Sequence, residues 1–297
     1  MNTLDATAKS PVDATAKSPG MSRRTKEKIG NTVTYIFLLL LSLLVLIPFF
    51  WMISSSLKQD NQVFSVPIQW IPTKPQWNNF VEIWHQIPLL TFFKNTIFLS
   101  VVVTFIQVLT SSFAAYGFSK MRFKGRNALF LAYIGTIAVP WQAYMIPQFI
   151  MMREVHLTDT LWSLVLLQAF SAFGVFLMRQ FYMSIPEELS EAARVDGLSE
   201  YGIYFKIILP LSKPALTTLI VLTFVNTWND YMGPFIYLNS TEVKTIQLGL
   251  RMFVTLYDAQ YALIMAASLV SIVPITIIFI FAQRYIIEGI ATTGMKG

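Results

Sequence analysis

Val33–Ile53 reads VTYIFLLLLSLLVLIPFFWMI, with no charged residue in it. A helix needs about 20 such residues to cross hydrocarbon, because lipid satisfies no backbone polar group and the helix satisfies its own. The run is too long for the apolar core of a cleaved signal, and no small-residue cleavage site follows it. It reads as an anchored helix. The pattern recurs downstream: Asn95–Ala115, Ala128–Met152, Leu161–Met178 and Ala259–Gln283 are uncharged, and Pro214–Thr241 carries one charge, Asp230. These runs predict an all-α membrane protein with six transmembrane helices, near 33–53, 95–115, 128–150, 161–178, 214–238 and 259–283.

Composition agrees. The chain is 55% hydrophobic and 13% charged, against about a quarter charged in soluble domains. So little polar sequence could not cover six buried helices of a soluble protein. The absence of cysteine excludes disulfides, thiolate metal sites and cysteine nucleophiles. His85 and His156 are too far apart for a short metal motif. No Ser/His/Asp set, aspartate pair or His-Glu-x-x-His lies inside the spans, so nothing points to a membrane enzyme. A self-sufficient secondary transporter would show inverted repeats and intramembrane charges for ion coupling. No clear repeat is present, and Asp230 is the only such charge.

The net charge of +6 is explained by topology. Lys9, Lys17, Arg23, Arg24, Lys26 and Lys28 precede the first span. Lys120, Arg122, Lys124 and Arg126 lie in the second connection; Arg179, Arg194, Lys206 and Lys213 lie in or beside the fourth; Arg284 and Lys296 follow the last span. These are sixteen of the 22 basic residues; Lys58, Lys74, Lys94, Arg153, Lys244 and Arg251 fall on the other side. The bias predicts both termini and the even connections in the cytoplasm, and no role in nucleic-acid binding.

Residues 1–30 form a predicted disordered, basic tail, polar and without aromatics, in which DATAKSP occurs at Asp5–Pro11 and Asp13–Pro19. Residues 31–297 form the membrane domain. The first outer loop, Leu57–Leu90, is rich in Trp and Pro. Its Trp70, Trp77 and Trp84 suit either an interfacial belt or an external partner. Pro48, Pro140, Pro147 and Pro274 are candidate kinks.

The fourth connection, residues 184–213, reads as two short helices. Ser184 is a candidate cap with Pro186 in the first turn, and Glu187, Glu188 and Glu191 suit the helix N-terminus. Asp196-Gly197 stops the first helix through a left-handed glycine. Ser199 caps the second, which is expected to end before Pro210. Ala192, Ala193 and Val195 leave a surface that another protein can approach closely.

Within it, EAARVDGLSEYGIYFKIILPLSKP carries Glu191-Ala192-Ala193, then Gly197, Ile207, Leu209 and Pro210 at the spacing of the EAA motif. The chain thereby resembles the permeases of ABC importers. TWNDYMGPF (Thr227–Phe235) resembles the fifth-helix segment of the maltose type. QRYIIEGIATTGMKG (Gln283–Gly297) resembles the tail of the second permease subunit of that type. The likeness covers nearly everything after residue 30.

The resemblance implies a type I ABC importer permease fold in a bacterial cytoplasmic membrane. It implies a pore subunit without enzymatic activity or bound cofactor. ATP and Mg would sit on two separate nucleotide-binding subunits, in accord with the absence of Gly-Lys and hence of a phosphate loop here. It also implies a second homologous permease, an extracytoplasmic solute-binding protein, and coupling through Glu191, Ala192, Ala193, Asp196, Gly197, Ile207, Leu209 and Pro210. In the family the tail reaches toward the ATPase interface, and the loop Asn239–Gln260 lies where a loop reaches into the binding protein. The implied cargo is a sugar or oligosaccharide, with a polyol or glycerol-phosphate-like solute as the alternative. Candidate pathway residues are Gln107, Gln142, Gln168, Asn226, Trp228, Asn229, Asp230 and Tyr231. Two readings stand for Asp230, contact with cargo and a polar contact between helices.

Overall fold

The computed structural model describes residues 23–254 and 259–294, with side chains for 27–254 and 259–284. Among the described residues the regular elements are helices, apart from one antiparallel bridge between Val254 and Ala259. The chain divides into two units at Trp51 and Met52.

The first unit is most of helix α1, Arg23–Ser56. Residues 23–30 of the predicted tail are therefore helical, while residues 1–22, with both DATAKSP copies, lie outside the described residues. The hydroxyls of Thr34 and Ser42 return to the carbonyls of Gly30 and Leu38 at 3.0 and 2.8 Å. The helix thus satisfies its own polar groups, as lipid requires. Pro48 sits inside the helix without ending it.

The second unit opens with the short helices α2 (Asp60–Val63) and α3 (Asn79–Gln86). The Asn79 amide donates to the carbonyls of Ser56 and Lys58 at 2.9 Å each, which ties the outer loop to the end of the first span. Helix α4 (Leu89–Lys120) starts after Pro88 and overruns its predicted span at both ends. It is the central element, packed against α8 (Ala172–Ser184) and α12 (Lys213–Trp228), and α12 in turn packs on α15 (Tyr261–Gly294). A Cβ on Gly174 would meet Ser111 Oγ at 2.5 Å, so α4 and α8 cross as closely as small residues permit.

The predicted spans fare differently. Among the described residues, three unbroken helices are long and apolar enough to cross a membrane: 27–56, 89–120 and 261–284. Leu161–Gln168 (α7) and α8 join as a pair bent by 41°. The 128–150 expectation needs correction. That stretch is α5 (Arg126–Gly135), two 3-10 turns, and α6 (Met145–Glu154). Val139 and Pro140 are extended between the turns, because the proline ring pushes the preceding residue out of the helical region. Within the fifth predicted span the helix persists only over the 16 residues of α12; residues 229–231 leave it before α13 (Met232–Tyr237).

The fourth connection holds α9 (Glu187–Val195), α10 (Glu200–Ile203), a π turn over Tyr204–Ile208, and α11 (Leu209–Leu211). Pro210 lies inside this helical run, so the second helix does not end before it. The chain bends by 78° at Ser212 into α12. After α13 come a 3-10 turn (Thr241–Val243) and α14 (Ile246–Arg251).

Candidate functional sites: an exposed EAA helix and a polar cleft

Helix α9 is amphipathic, and its two faces do different things. Ser190 and Ala193 are buried against the domain, while Glu191, Ala192, Arg194 and Val195 face outward, Val195 with 87% of its surface exposed. Ala193, expected on the outer surface, instead packs with Ile203, Tyr204 and Tyr182. The cap is Pro186 rather than Ser184, whose hydroxyl donates to Phe181 within α8. The turn that follows is built as predicted. Gly197 has φ +81, its N–H donates to the Arg194 carbonyl at 3.0 Å, and that of Leu198 to Ala193 at 3.0 Å. This is the paired closure of a Schellman motif, with glycine at its left-handed position. Ser199 caps α10 by accepting from Gly202 N at 3.3 Å.

Sequence reasoning missed what holds this helix in place. The Lys120 ammonium, buried at the end of α4, donates to the Ile185 carbonyl at 2.7 Å and lies 3.5 Å from Glu187. The Tyr116 hydroxyl donates to Glu200 at 2.6 Å, and Arg194 Nε to the other oxygen of Glu200 at 2.8 Å. The Arg194 hydrogen bond, and then that of Tyr116, hold the Glu200 carboxyl below its ordinary range. Above this belt, Ser112 Oγ bridges the hydroxyls of Tyr182 and Tyr204 at 2.6 and 2.7 Å. Arg194 and Glu200 are six residues apart; the other partners come from segments 65 to 92 residues apart, and no local pattern signals them. Asp196 ends α9 in the open, Ile207 and Leu209 pack partly on the core, and Pro210 is exposed.

The second candidate is an open cleft of about 480 Å³ between α4, the α7–α8 bend and α12. Gln107, Gln168, Asn226 and Asp230 line it, with Ser171, Thr227 and the rings of Phe170 and Phe173. Two interruptions of helix meet at this cleft, the bend at residues 169–171 and the break at residues 229–231. Asp230 Oδ2 accepts from Gln168 Nε2 at 3.0 Å, and Oδ1 from the Gly233 N–H at 3.1 Å. Thr110 Oγ1 donates to the Ala169 carbonyl at 2.8 Å, and Ser171 caps α8 by accepting from Gly174 N at 3.0 Å. Irregular backbone at membrane depth persists where protein buries it or where it lines a cavity; here both apply.

Other predicted pathway residues lie elsewhere. Trp228 is fully buried, stacks on Phe224, and donates to the Ser271 carbonyl of α15 at 3.2 Å. Asn229 is exposed and donates to the Val225 carbonyl at 2.9 Å. Tyr231 stacks on Phe235, and Gln142 sits exposed in a 3-10 turn. Phe170 and Phe173 were missed. The cap pattern at Ser171, ahead of Ala-Phe-Gly, was the signal that a new helix starts there.

At the opposite end from Lys120, Asp159 joins two loops. Its carboxylate accepts from the N–H groups of Asn239 and Ser240 at 2.7 and 2.9 Å and from the Ser240 hydroxyl. The Ser240 hydroxyl, more than any other group, holds this carboxyl below its usual range. Asn95 adds bonds to the carbonyls of Glu242 and Lys244 at 2.8 and 2.9 Å.

Comparison with known proteins places this geometry. A family described as binding-protein-dependent transport system inner membrane component matches residues 107–291, which include the EAA stretch and the cleft. The arabinooligosaccharides transport system permease protein of Halalkalibacterium halodurans is 34% identical over 93% of this chain and 100% of its own length. The sn-glycerol-3-phosphate transport system permease protein of Yersinia pestis is 30% identical over 86% of this chain and 94% of its own. Among solved structures, a bacterial ABC transporter involved in import of the acidic polysaccharide alginate aligns with TM-score 0.78 and 27% identity. That alignment covers 91% of this chain and all of the other.

Proposed function

The chain belongs to the family of binding-protein-dependent transport system inner membrane components, a multi-pass permease rather than an enzyme, and from that premise we propose that it imports a sugar or oligosaccharide. It forms half of the translocation path of an ATP-driven importer. Its partners are a second permease, two ATPase subunits that hold ATP and Mg, and an external solute-binding protein. The observation that carries the cargo class is the cleft, where amide and hydroxyl groups alternate with the exposed rings of Phe170 and Phe173. Hydroxyl-rich, flat-faced sugars need that combination of hydrogen-bonding groups and aromatic faces.

The coupling role falls to α9. Its outer face presents Glu191, Ala192 and Val195, the Gly197 turn fixes where it ends, and Pro210 follows in the same connection. ATP-driven closure of the ATPases would move this helix as a lever, and the paired permeases would switch between inward and outward openings as rigid bodies. The orientation follows from charge: the end bearing Lys120, Arg122, Arg194 and Lys213 faces the cytoplasm, and so do both termini. The end bearing Asp159 and the 239–254 loop meets the binding protein.

Purification of the tagged protein in mild detergent, with mass spectrometry of what accompanies it, tests this reading. Recovery of a second permease and an ATPase is the expected result. A stable, monodisperse chain recovered alone would overturn it in favour of a self-sufficient transporter.

A further inference from the structure

The cleft is polar, but its charge is one-sided. Among the described residues that line it, Asp230 is the only ionisable one, with no lysine, arginine or histidine. Arg179, on the same helix as Phe173, is turned away: its Nε donates to the Phe118 carbonyl at 3.1 Å and its guanidinium lies 4.0 Å over the Phe130 ring. Both oxygens of Asp230 act as acceptors, Oδ2 from an amide N–H and Oδ1 from a backbone N–H. Both partners are N–H donors, so neither oxygen needs a proton of its own to satisfy them. The Thr227 hydroxyl donates to Gln168 Oε1 at 3.4 Å, which leaves the Gln168 NH₂ directed at Asp230. The Asp230 carboxylate is thus held at the cleft wall by two donors, neither of them charged.

We infer that Asp230 makes the cleft a charge filter that passes neutral saccharides and rejects anionic ones, such as uronates and sugar phosphates. The inference rests on the reading of the cleft as part of the translocation path. A path for an anionic sugar needs a cation or a row of free N–H donors to replace lost water. Here one cleft donor, Gln168 Nε2, is already taken by the carboxylate, as is the buried Gly233 N–H behind it. An anion entering would meet a fixed like charge, whereas a neutral sugar can share the amides of Gln107 and Asn226 and stack on Phe170. The carboxylate opposes acidic or phosphorylated cargo such as the relatives' names describe, and so separates the two substrate classes left open by the sequence.

The test uses the chain's lack of cysteine. A single Asn226→Cys or Phe170→Cys substitution places one thiol on the cleft wall. In the purified complex, its modification rate is measured with three methanethiosulfonates: 2-trimethylammonioethyl (cationic), 2-sulfonatoethyl (anionic) and 2-hydroxyethyl (neutral). Each rate is divided by that for free cysteine thiol. The filter predicts that the cation outpaces the anion by about tenfold after this correction, the scale of one unit charge within a partly solvated cleft. Adding Asp230→Asn should bring the ratio near one, while Asp230→Glu should keep it. Unchanged reaction with the neutral reagent in all three backgrounds shows that the cleft is intact. A corrected ratio near one with Asp230 present, or one that Asp230→Asn leaves unchanged, overturns the filter but not the path. Failure of all three reagents to react means that the cleft is not aqueous, which overturns the path reading and the filter with it.

Discussion

Gln168 Nε2 donates to Asp230 Oδ2 at 3.0 Å, and this one bond joins the bend between α7 and α8 to the break between α12 and α13. The backbone groups freed at each interruption are met by other side chains, the Ala169 carbonyl by Thr110 and the Gly233 N–H by Asp230. Gln168→Leu would leave a partly buried carboxylate with only its backbone donor. A hydrogen bond to a charged group contributes about 1.5–3 kcal/mol. The purified complex should therefore melt at lower temperature, and uptake should fall. An unchanged melting temperature would mean that the two breaks are held by packing alone.

Asn226 and Asn229 are three residues apart on the sequence and differ in place. Asn226 lines the cleft, whereas Asn229 bonds back to its own helix. Asn226→Ala is expected to reduce uptake severalfold with complex yield unchanged, and Asn229→Ala to change uptake by less than half. Equal effects, read as initial uptake rates in cells, would remove the cleft from the path.

Glu191 projects from the exposed face of α9. Glu191→Lys should abolish ATP-dependent uptake while the protein stays in the membrane. Gly197→Val acts differently. Nothing lies within 4 Å of a Cβ built there, so the whole cost is the positive φ, on the order of 1–2 kcal/mol. ATPase activity should persist in that variant while uptake is lost. Coupled uptake by either would take that residue out of the coupling role.

Glu200 links Arg194 to Tyr116, and its folded-state pKa lies below the ordinary value, first because of the Arg194 bond. A depressed carboxyl pKa stabilises the fold above the unfolded value of about 4.3. That contribution is lost as pH falls through the lower folded value. The carboxylate is partly exposed, which makes the effect small. After division by the intrinsic exchange rate at each pH, the protection of amides in α9 and α10 should fall as pH drops below about 4, and Glu200→Gln should remove that pH dependence. Persistence of the same profile in the variant would assign it to another group.

Asp159 holds the 239–254 loop while itself adopting φ +60. Asp159→Gly relieves the backbone and removes the acceptor; Asp159→Asn tolerates the backbone and keeps one acceptor oxygen. Limited proteolysis of the loop should rise strongly in the glycine variant and modestly in the asparagine one. The opposite order would show that backbone strain, not hydrogen bonding, governs the loop.

By itself the sequence determined that this is a membrane protein of helices, because an uncharged run of helical length has few other stable states. It also determined the EAA connection, where a left-handed glycine and a serine cap act within a few residues. Those signals are local, and so was the sorting of Lys and Arg between connections.

What tertiary structure decided lies wherever partners are distant in sequence or apolar runs are interrupted from within. Hydropathy averaged over each run masked the breaks at Val139-Pro140 and at residues 169–171, although Pro140 and the Ser171 cap are local signs of them. It gave Trp228 and Asn226 the same polar promise. Only the packing of α12 between α4 and α15 turned Trp228 into the core and left Asn226 on the cleft. Lys120 found Ile185, Tyr116 found Glu200, and Gln168 found Asp230 because helix crossing fixes which side chains meet, and periodicity along one helix carries no information about its neighbour.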